Sequence, residues 1–85
     1  MRLQMMTWPE VEAYLKTSNG IIIPIGSAEQ HGPTGFIGTD ALCPEIVAEE
    51  LAKETKSLIA PTISVGMAQH HLGFAGSITL RPTTL

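Results

Sequence analysis

The chain has little of what marks a secreted, membrane-spanning or nucleic-acid-binding protein. Its single cysteine, Cys43, offers no internal disulfide, and no secretory leader opens the chain, so we expect a reducing, cytoplasmic setting. Five Lys and Arg against eight Asp and Glu give a net charge of -3, without the basic surface that nucleic acid attracts. No apolar run approaches the roughly 20 residues of a membrane span. The expected partner is therefore a small molecule, with no nucleic acid and no membrane.

The length of the chain limits the size of its hydrophobic core. With 85 residues the chain makes at most one small domain with a limited core, and it has no disulfide or repeat to compensate. We therefore expect it to depend on further structure for its stability.

Two helices are predicted from local signals. Thr7 and Glu10 form a capping pattern with proline between them, and Asn19-Gly20 supplies the stop. A second helix is predicted over Ala41–Lys56, with Pro44 in its first turn. Its buried stripe is predicted to be Val47, Ala48, Leu51, Ala52 and Thr55.

The second helix is also rich in glutamate. The periodicity places Glu45, Glu49, Glu50 and Glu54 away from the apolar stripe, on a solvated face. We expect Glu49 and Lys53 to pair at i,i+4.

The strands have the character of a buried parallel sheet. Ile21–Ile25 is continuously apolar and β-branched, although Pro24 removes one hydrogen-bond donor. Ser57–Val65 reads as a second strand broken at Pro61, and Ser77–Leu80 as a short third one. Strand, helix and strand in succession predict an α/β fold with a mainly parallel sheet.

The loop after the first strand carries the chemistry. In an extended segment Glu29 and His31 point to the same side, and the glycine- and proline-rich turn that follows allows Asp40 to fold back toward them. Two carboxylates and an imidazole suit Zn²⁺ or Mn²⁺. The alternative is a polar turn with Glu29 solvated, His31 hydrogen-bonded and Asp40 capping the next helix.

A second glycine-punctuated loop, after the second strand, holds the other two histidines, His70 and His71. Either one is a candidate contact to a substrate, or a donor that orients a metal ligand. The alternative is a pair of loop histidines whose ring nitrogens bond to backbone groups.

In this order the motifs resemble those of the creatininase (creatinine amidohydrolase) family. They are Glu-Gln-His-Gly-Pro at residues 29–33, Gly-Thr-Asp at 38–40, and His-x-x-Phe-x-Gly at 71–76. The resemblance covers nearly the whole chain. It implies that residues 1–85 are the N-terminal portion of a single domain with a three-layer α/β/α fold.

The resemblance also implies a hydrolase with two divalent ions, Zn or Mn, and a homo-oligomeric assembly. Glu29 would bind one ion, His31 the other, and Asp40 would bridge both. Metal-activated water would hydrolyse a C–N bond of a cyclic amide or formamide. His71 remains a candidate contact to substrate or to a metal ligand.

Some positions depart from the family pattern. Thr34-Gly35-Phe36 stands where members commonly have His-Leu-Pro, and Phe74–Ser77 reads Phe-Ala-Gly-Ser in place of Phe-Pro-Gly-Thr. The family's remaining His and Glu ligands have no counterpart here, so we expect residues 1–85 alone to be inactive. The alternative function is a non-catalytic creatininase-like module with a structural or weak metal-binding loop.

Overall fold

The structure is a computed structural model that describes residues 1–84. It contains two α-helices, α1 (Trp8–Leu15) and α2 (Thr39–Thr55), and two short strands, β1 (Ile21–Ile22) and β2 (Leu58–Ile59). Single turns of 3₁₀ helix lie at Leu3–Met5 and Gln69–His71. The order β1, α2, β2 is the predicted strand–helix–strand unit.

Helix α1 begins as its capping pattern predicts. The Thr7 N–H donates to Glu10 Oε1 at 3.1 Å, and the Thr7 hydroxyl donates to the same oxygen at 2.9 Å. These hydrogen bonds, the backbone one first, lower the pKa of Glu10 below its usual value. The helix ends at Leu15, before the predicted stop, and the Tyr14 hydroxyl donates to the carbonyl of Gly20.

Helix α2 buries a narrower face than its sequence predicts. Ala48 and Ala52 are buried as expected and pack against Ile59 of β2, and Ala41 is buried as well. Val47, Leu51 and Thr55 are exposed, so that part of the predicted stripe is wrong. Small alanine side chains allow close approach to the strands, whereas the larger apolar side chains turn outward.

The predicted pair between Glu49 and Lys53 is also wrong. Arg2 donates a hydrogen bond to Glu49 and lies 3.6 Å from Glu45, while Lys53 pairs with Glu50 at 3.2 Å. The hydrogen bond from Arg2 lowers the pKa of the Glu49 carboxyl below its usual value. Two of the helix glutamates thus contact the N-terminal segment.

The two strands are parallel, with Ile21 opposite Leu58 and Ile22 opposite Ile59. Pairing resumes between Ile25 and Ile63. Ile25 comes three residues after Ile22, whereas Ile63 comes four residues after Ile59. One extra residue is therefore accommodated around Pro61, where the sequence predicts a break. Ile59 also donates to the Met1 carbonyl at 2.8 Å, so the N-terminal segment covers the other edge of β2.

The predicted third strand, 77–80, does not form. Its backbone instead ties two loops together: the Ile78 N–H donates to Ala28 O and the Leu80 N–H to Gly66 O, each at 2.8 Å. These bonds run to two separate segments, so no continuous ladder develops.

The core is small and much apolar surface remains outside it. Leu58, Ile59 and Ala68 are buried with the helix alanines, whereas Trp8 is 76% exposed, Phe36 78% and Ile46 64%. Among the described residues, no helix has both the length and the apolar character needed to cross a membrane.

Candidate metal centre

The loop that carries Glu29 and His31 begins at Gly26, beyond β1, where the chain passes the first turn of α2. The Gly26 N–H donates to Ile63 O at 2.7 Å, which ties the end of the first strand to the second. A Cβ at Gly26 would lie 2.6 Å from the Cα of Ala41 and would also meet the Asp40 carbonyl. Only glycine allows this approach, which places the first turn of α2 beside the loop.

Asp40 projects from that first turn. The N-cap position belongs to Gly38, so Asp40 is not the capping residue that the alternative interpretation requires. The Glu29 N–H donates to Ile37 O at 3.3 Å, which brings the two ends of the loop together. Asp40 thus stands on a helix while Glu29 and His31 stand on the loop.

The three predicted side chains converge. One donor atom from each of Glu29, His31 and Asp40 lies within 4.8 Å of the others. His31 Nε2 lies 3.4 Å from Asp40 Oδ1, and the two side chains are 31% and 40% exposed. The Glu29 side chain is only 15% exposed and accepts a hydrogen bond from the Ser27 hydroxyl at 3.1 Å.

The second loop brings its histidines to the same carboxylate. Glu29, His70 and His71 also have donor atoms within 4.8 Å of one another, so Glu29 is common to two potential metal-binding groups. His71 Nε2 lies 3.6 Å from Glu29 Oε1. His70 stacks on His71 at a tilt of 46°, with 4.0 Å between ring centroids, and is exposed.

Gln30 connects the two loops, and sequence reasoning missed it. Its backbone N–H donates to Ser77 Oγ at 3.0 Å, and its side-chain Nε2 lies 3.0 Å from His71 Nδ1. Its Oε1 accepts the Gly32 N–H at 2.8 Å. The position of Gln30 between two predicted ligands was the available signal, but strand alternation alone pointed its side chain away from them.

A cavity of about 300 Å³ adjoins these residues. Its walls carry no charged side chain and come from both loops: Gln30, Gly32, Pro33, Gly35, Ile37, Phe74 and Ala75. A neutral, compact ligand suits such a lining. Another cavity, of about 250 Å³ near Arg2, Glu45 and Glu49, shares none of these wall residues.

The donor set fits a divalent transition metal. Glu29 and Asp40 offer carboxylate oxygens and His31 an imidazole nitrogen, which suits Zn²⁺ or Mn²⁺. No thiolate belongs to either group, and Cys43 is exposed elsewhere on α2. This chemistry differs from that of structural zinc sites, which typically use cysteine.

Comparison with known proteins agrees with this description. The Creatininase family (creatinine amidohydrolase) matches residues 4–85. The chain belongs to the creatininase family.

Family members of known structure share its fold. A structure titled "Creatininase Mn" superposes with a TM-score of 0.88 at 27% identity, over 98% of this chain and 35% of that one. A creatininase mutant of "Zn-Zn type" gives a TM-score of 0.87, also at 27% identity, over 98% of this chain and 34% of that one.

Among curated proteins, the chain is 35% identical over 79 residues to the 3-dehydro-scyllo-inosose hydrolase of Thermotoga maritima, covering 92% of this chain and 25% of that protein. It is 35% identical over 74 residues to the mycofactocin precursor peptide peptidase of Mycobacterium tuberculosis, covering 75% of this chain and 30% of that protein. It is 30% identical over 86 aligned positions to the creatinine amidohydrolase of Pseudomonas putida, covering 94% and 33%. The chain thus spans a quarter to a third of the length of these relatives.

Proposed function

We propose that this chain supplies one part of the metal centre of a creatininase-type hydrolase. The reaction is hydrolysis of a C–N bond in a cyclic amide or formamide. The observation that supports it most is the convergence of Glu29, His31 and Asp40 within 4.8 Å in a chain of this family. We further propose that residues 1–85 are the N-terminal portion of a single creatininase-like domain.

Each side chain has a distinct proposed role. With two ions bound, Glu29 would hold one, His31 would hold the other, and Asp40 would contribute to both. The ions, when bound, supply an acidified water and polarise the substrate carbonyl. Asp40 is suited to its position because the first turn of α2 fixes its backbone, and an anionic group is favoured near a helix N-terminus.

The surrounding residues bind and orient the substrate in this proposal. The cavity beside Gln30 and Phe74 has no charged wall, which favours a compact neutral amide. His71 lies between Gln30 and Glu29 and contacts either the substrate or the metal-binding carboxylate. The relatives differ in their named reactions, so the wall residues are expected to determine the substrate.

The donors within residues 1–85 are too few for a complete site. Two ions at about four ligands each need more donors than Glu29, His31, Asp40 and water provide. We therefore propose that this chain by itself is inactive and binds metal weakly.

The test uses the full-length protein. It is stripped with a chelator, reloaded with Zn²⁺ or Mn²⁺, and assayed on creatinine, a panel of N-formyl compounds and short peptides. The proposal expects amide hydrolysis that disappears on stripping, returns on reloading, and is lost in His31→Gln. Glu50→Gln is the control, because Glu50 is an exposed carboxylate that pairs only with Lys53. Metal-independent hydrolysis, or full activity in His31→Gln, would contradict the proposal.

A further inference from the structure

The Gln30 side chain contacts two partners, and its hydrogen bond from the Gly32 N–H fixes which of its amide atoms faces His71. The Gly32 N–H is a donor with no alternative role, so the side-chain atom 2.8 Å from it must be the acceptor Oε1. The NH₂ group of Gln30 is therefore the end that faces His71 Nδ1, at 3.0 Å. An NH₂ group only donates, so His71 Nδ1 must accept.

A neutral imidazole that accepts at Nδ1 carries its proton at Nε2. His71 Nε2 lies 3.6 Å from Glu29 Oε1. This is longer than a normal hydrogen bond, but it places an N–H dipole toward a carboxylate. In the other tautomer, a lone pair would face that carboxylate, and Nδ1–H would face the NH₂ of Gln30.

We propose that Gln30 is a positioning residue that holds His71 in the Nε2-protonated tautomer and directs that N–H toward Glu29. The relevance of this arrangement to catalysis rests on the proposed function, whereas the tautomer itself does not. One consequence concerns metal binding. With Nε2 protonated, His71 has no free lone pair toward Glu29, so it orients that carboxylate and is not itself a ligand.

The loop geometry maintains the arrangement. Gly32, whose N–H donates to the Gln30 side chain, has a φ of +79°, in the left-handed region that favours glycine. The Gln30 backbone is anchored separately, through its N–H to Ser77 Oγ at 3.0 Å. Gln30 is therefore held from both loops. A flip of its amide would place the NH₂ group opposite the Gly32 N–H, so that two donors would face each other.

The test is a long-range ¹H–¹⁵N spectrum of the protein labelled with ¹⁵N-histidine. It is recorded at a pH above which the histidine ¹⁵N shifts no longer change, so that only neutral rings are observed. His71→Gln assigns the His71 signals by their disappearance. We expect the wild-type protein to show a protonated Nε2 and an unprotonated Nδ1. A protonated Nδ1, or an average of the two tautomers, would overturn the proposal without any variant.

Gln30→Glu supplies the second measurement. A carboxylate keeps an acceptor for the Gly32 N–H but offers His71 only acceptors, so the expected result is inversion to the Nδ1-protonated tautomer. Gln69→Glu, which adds the same charge on the exposed part of the second loop, should leave the tautomer unchanged. An unchanged tautomer in a folded Gln30→Glu would overturn the proposal.

The outcome is separable from that of the proposed function. An Nε2-protonated His71 that inverts in Gln30→Glu, in a protein without metal-dependent hydrolysis, would refute the function and support the role of Gln30. Metal-dependent hydrolysis by a protein with Nδ1-protonated His71 would support the proposed function and refute the role of Gln30.

Discussion

His31 Nε2 lies 3.4 Å from Asp40 Oδ1, across the glycine-rich turn that separates the two residues in the sequence. One partner stands on a loop and the other on the first turn of α2. The helix fixes the position of the carboxylate, and the loop carries the imidazole to it. We therefore expect the loss of metal on mutation to depend on which of the three proposed ligands, Glu29, His31 or Asp40, is replaced.

We expect Asp40→Asn to remove more metal than Glu29→Gln in the full-length protein. A bridging carboxylate contacts two ions, whereas a terminal one contacts a single ion. Metal per chain, measured by mass spectrometry after dialysis, should fall toward zero in the first variant and toward half in the second. Retention of both ions and of full turnover in Asp40→Asn would show that the bridging assignment is wrong.

His71→Ala should lower turnover by about tenfold or more while leaving the metal content near normal. The reason is its position: it contacts Glu29 and Gln30 but is not expected to supply a ligand atom. Steady-state kinetics and metal analysis of the same preparation give the answer. Parallel loss of metal and activity would instead identify His71 as a ligand. Gln69→Ala, a change at an exposed residue outside both potential metal-binding groups, is the matched control.

Gly26→Ala should destabilise the fold by at least about 2 kcal/mol. The added Cβ would meet the Asp40 carbonyl and lie 2.6 Å from Ala41 Cα, so the segment that follows β1 and the first turn of α2 would have to separate. Gly73→Ala is the control, since no atom lies within 4 Å of a Cβ there. It should change stability by no more than about 0.5 kcal/mol. Urea unfolding of both variants makes the comparison, and equal effects would refute the packing argument.

The capping box of α1 predicts a pH dependence. Because Thr7 hydrogen bonds lower the pKa of folded Glu10, the carboxylate stabilises the fold above the unfolded pKa of about 4.3. This contribution is lost as the pH falls through the lower folded pKa. The melting temperature of wild type relative to Glu10→Ala should therefore be higher at neutral pH, and the difference should shrink below about pH 4. Glu12→Ala, which removes another exposed carboxylate of the same helix outside the capping box, is the matched control.

Local signals predicted the elements better than they predicted the contacts between them. Thr7 and Glu10 form hydrogen bonds within a single helical turn, so the start of α1 could be predicted from the sequence. The pairing of Arg2 with Glu49 was not, because it joins segments 47 residues apart. It also displaced the pair predicted for Glu49 and Lys53.

In the candidate metal centre, too, local features could be predicted from the sequence and contacts between distant segments could not. The spacing of Glu29 and His31, with a flexible turn before Asp40, predicted a convergence that the structure displays. Gln30 escaped notice because its partners, His71 and Ser77, belong to a loop that only the tertiary fold brings near. The third strand failed for a related reason: residues 77–80 have strand-like composition, but their hydrogen bonds run to Ala28 and Gly66 in different segments.

The most direct measurement of the central claim is anomalous diffraction from crystals of the full-length protein grown with Mn²⁺ or Zn²⁺. We predict anomalous density at two positions, with Glu29 on one ion, His31 Nε2 on the other and Asp40 oxygens on both. Density elsewhere, or a metal-free cluster in which His31 still contacts only Asp40, would contradict the assignment of Glu29, His31 and Asp40 as the metal ligands of this protein.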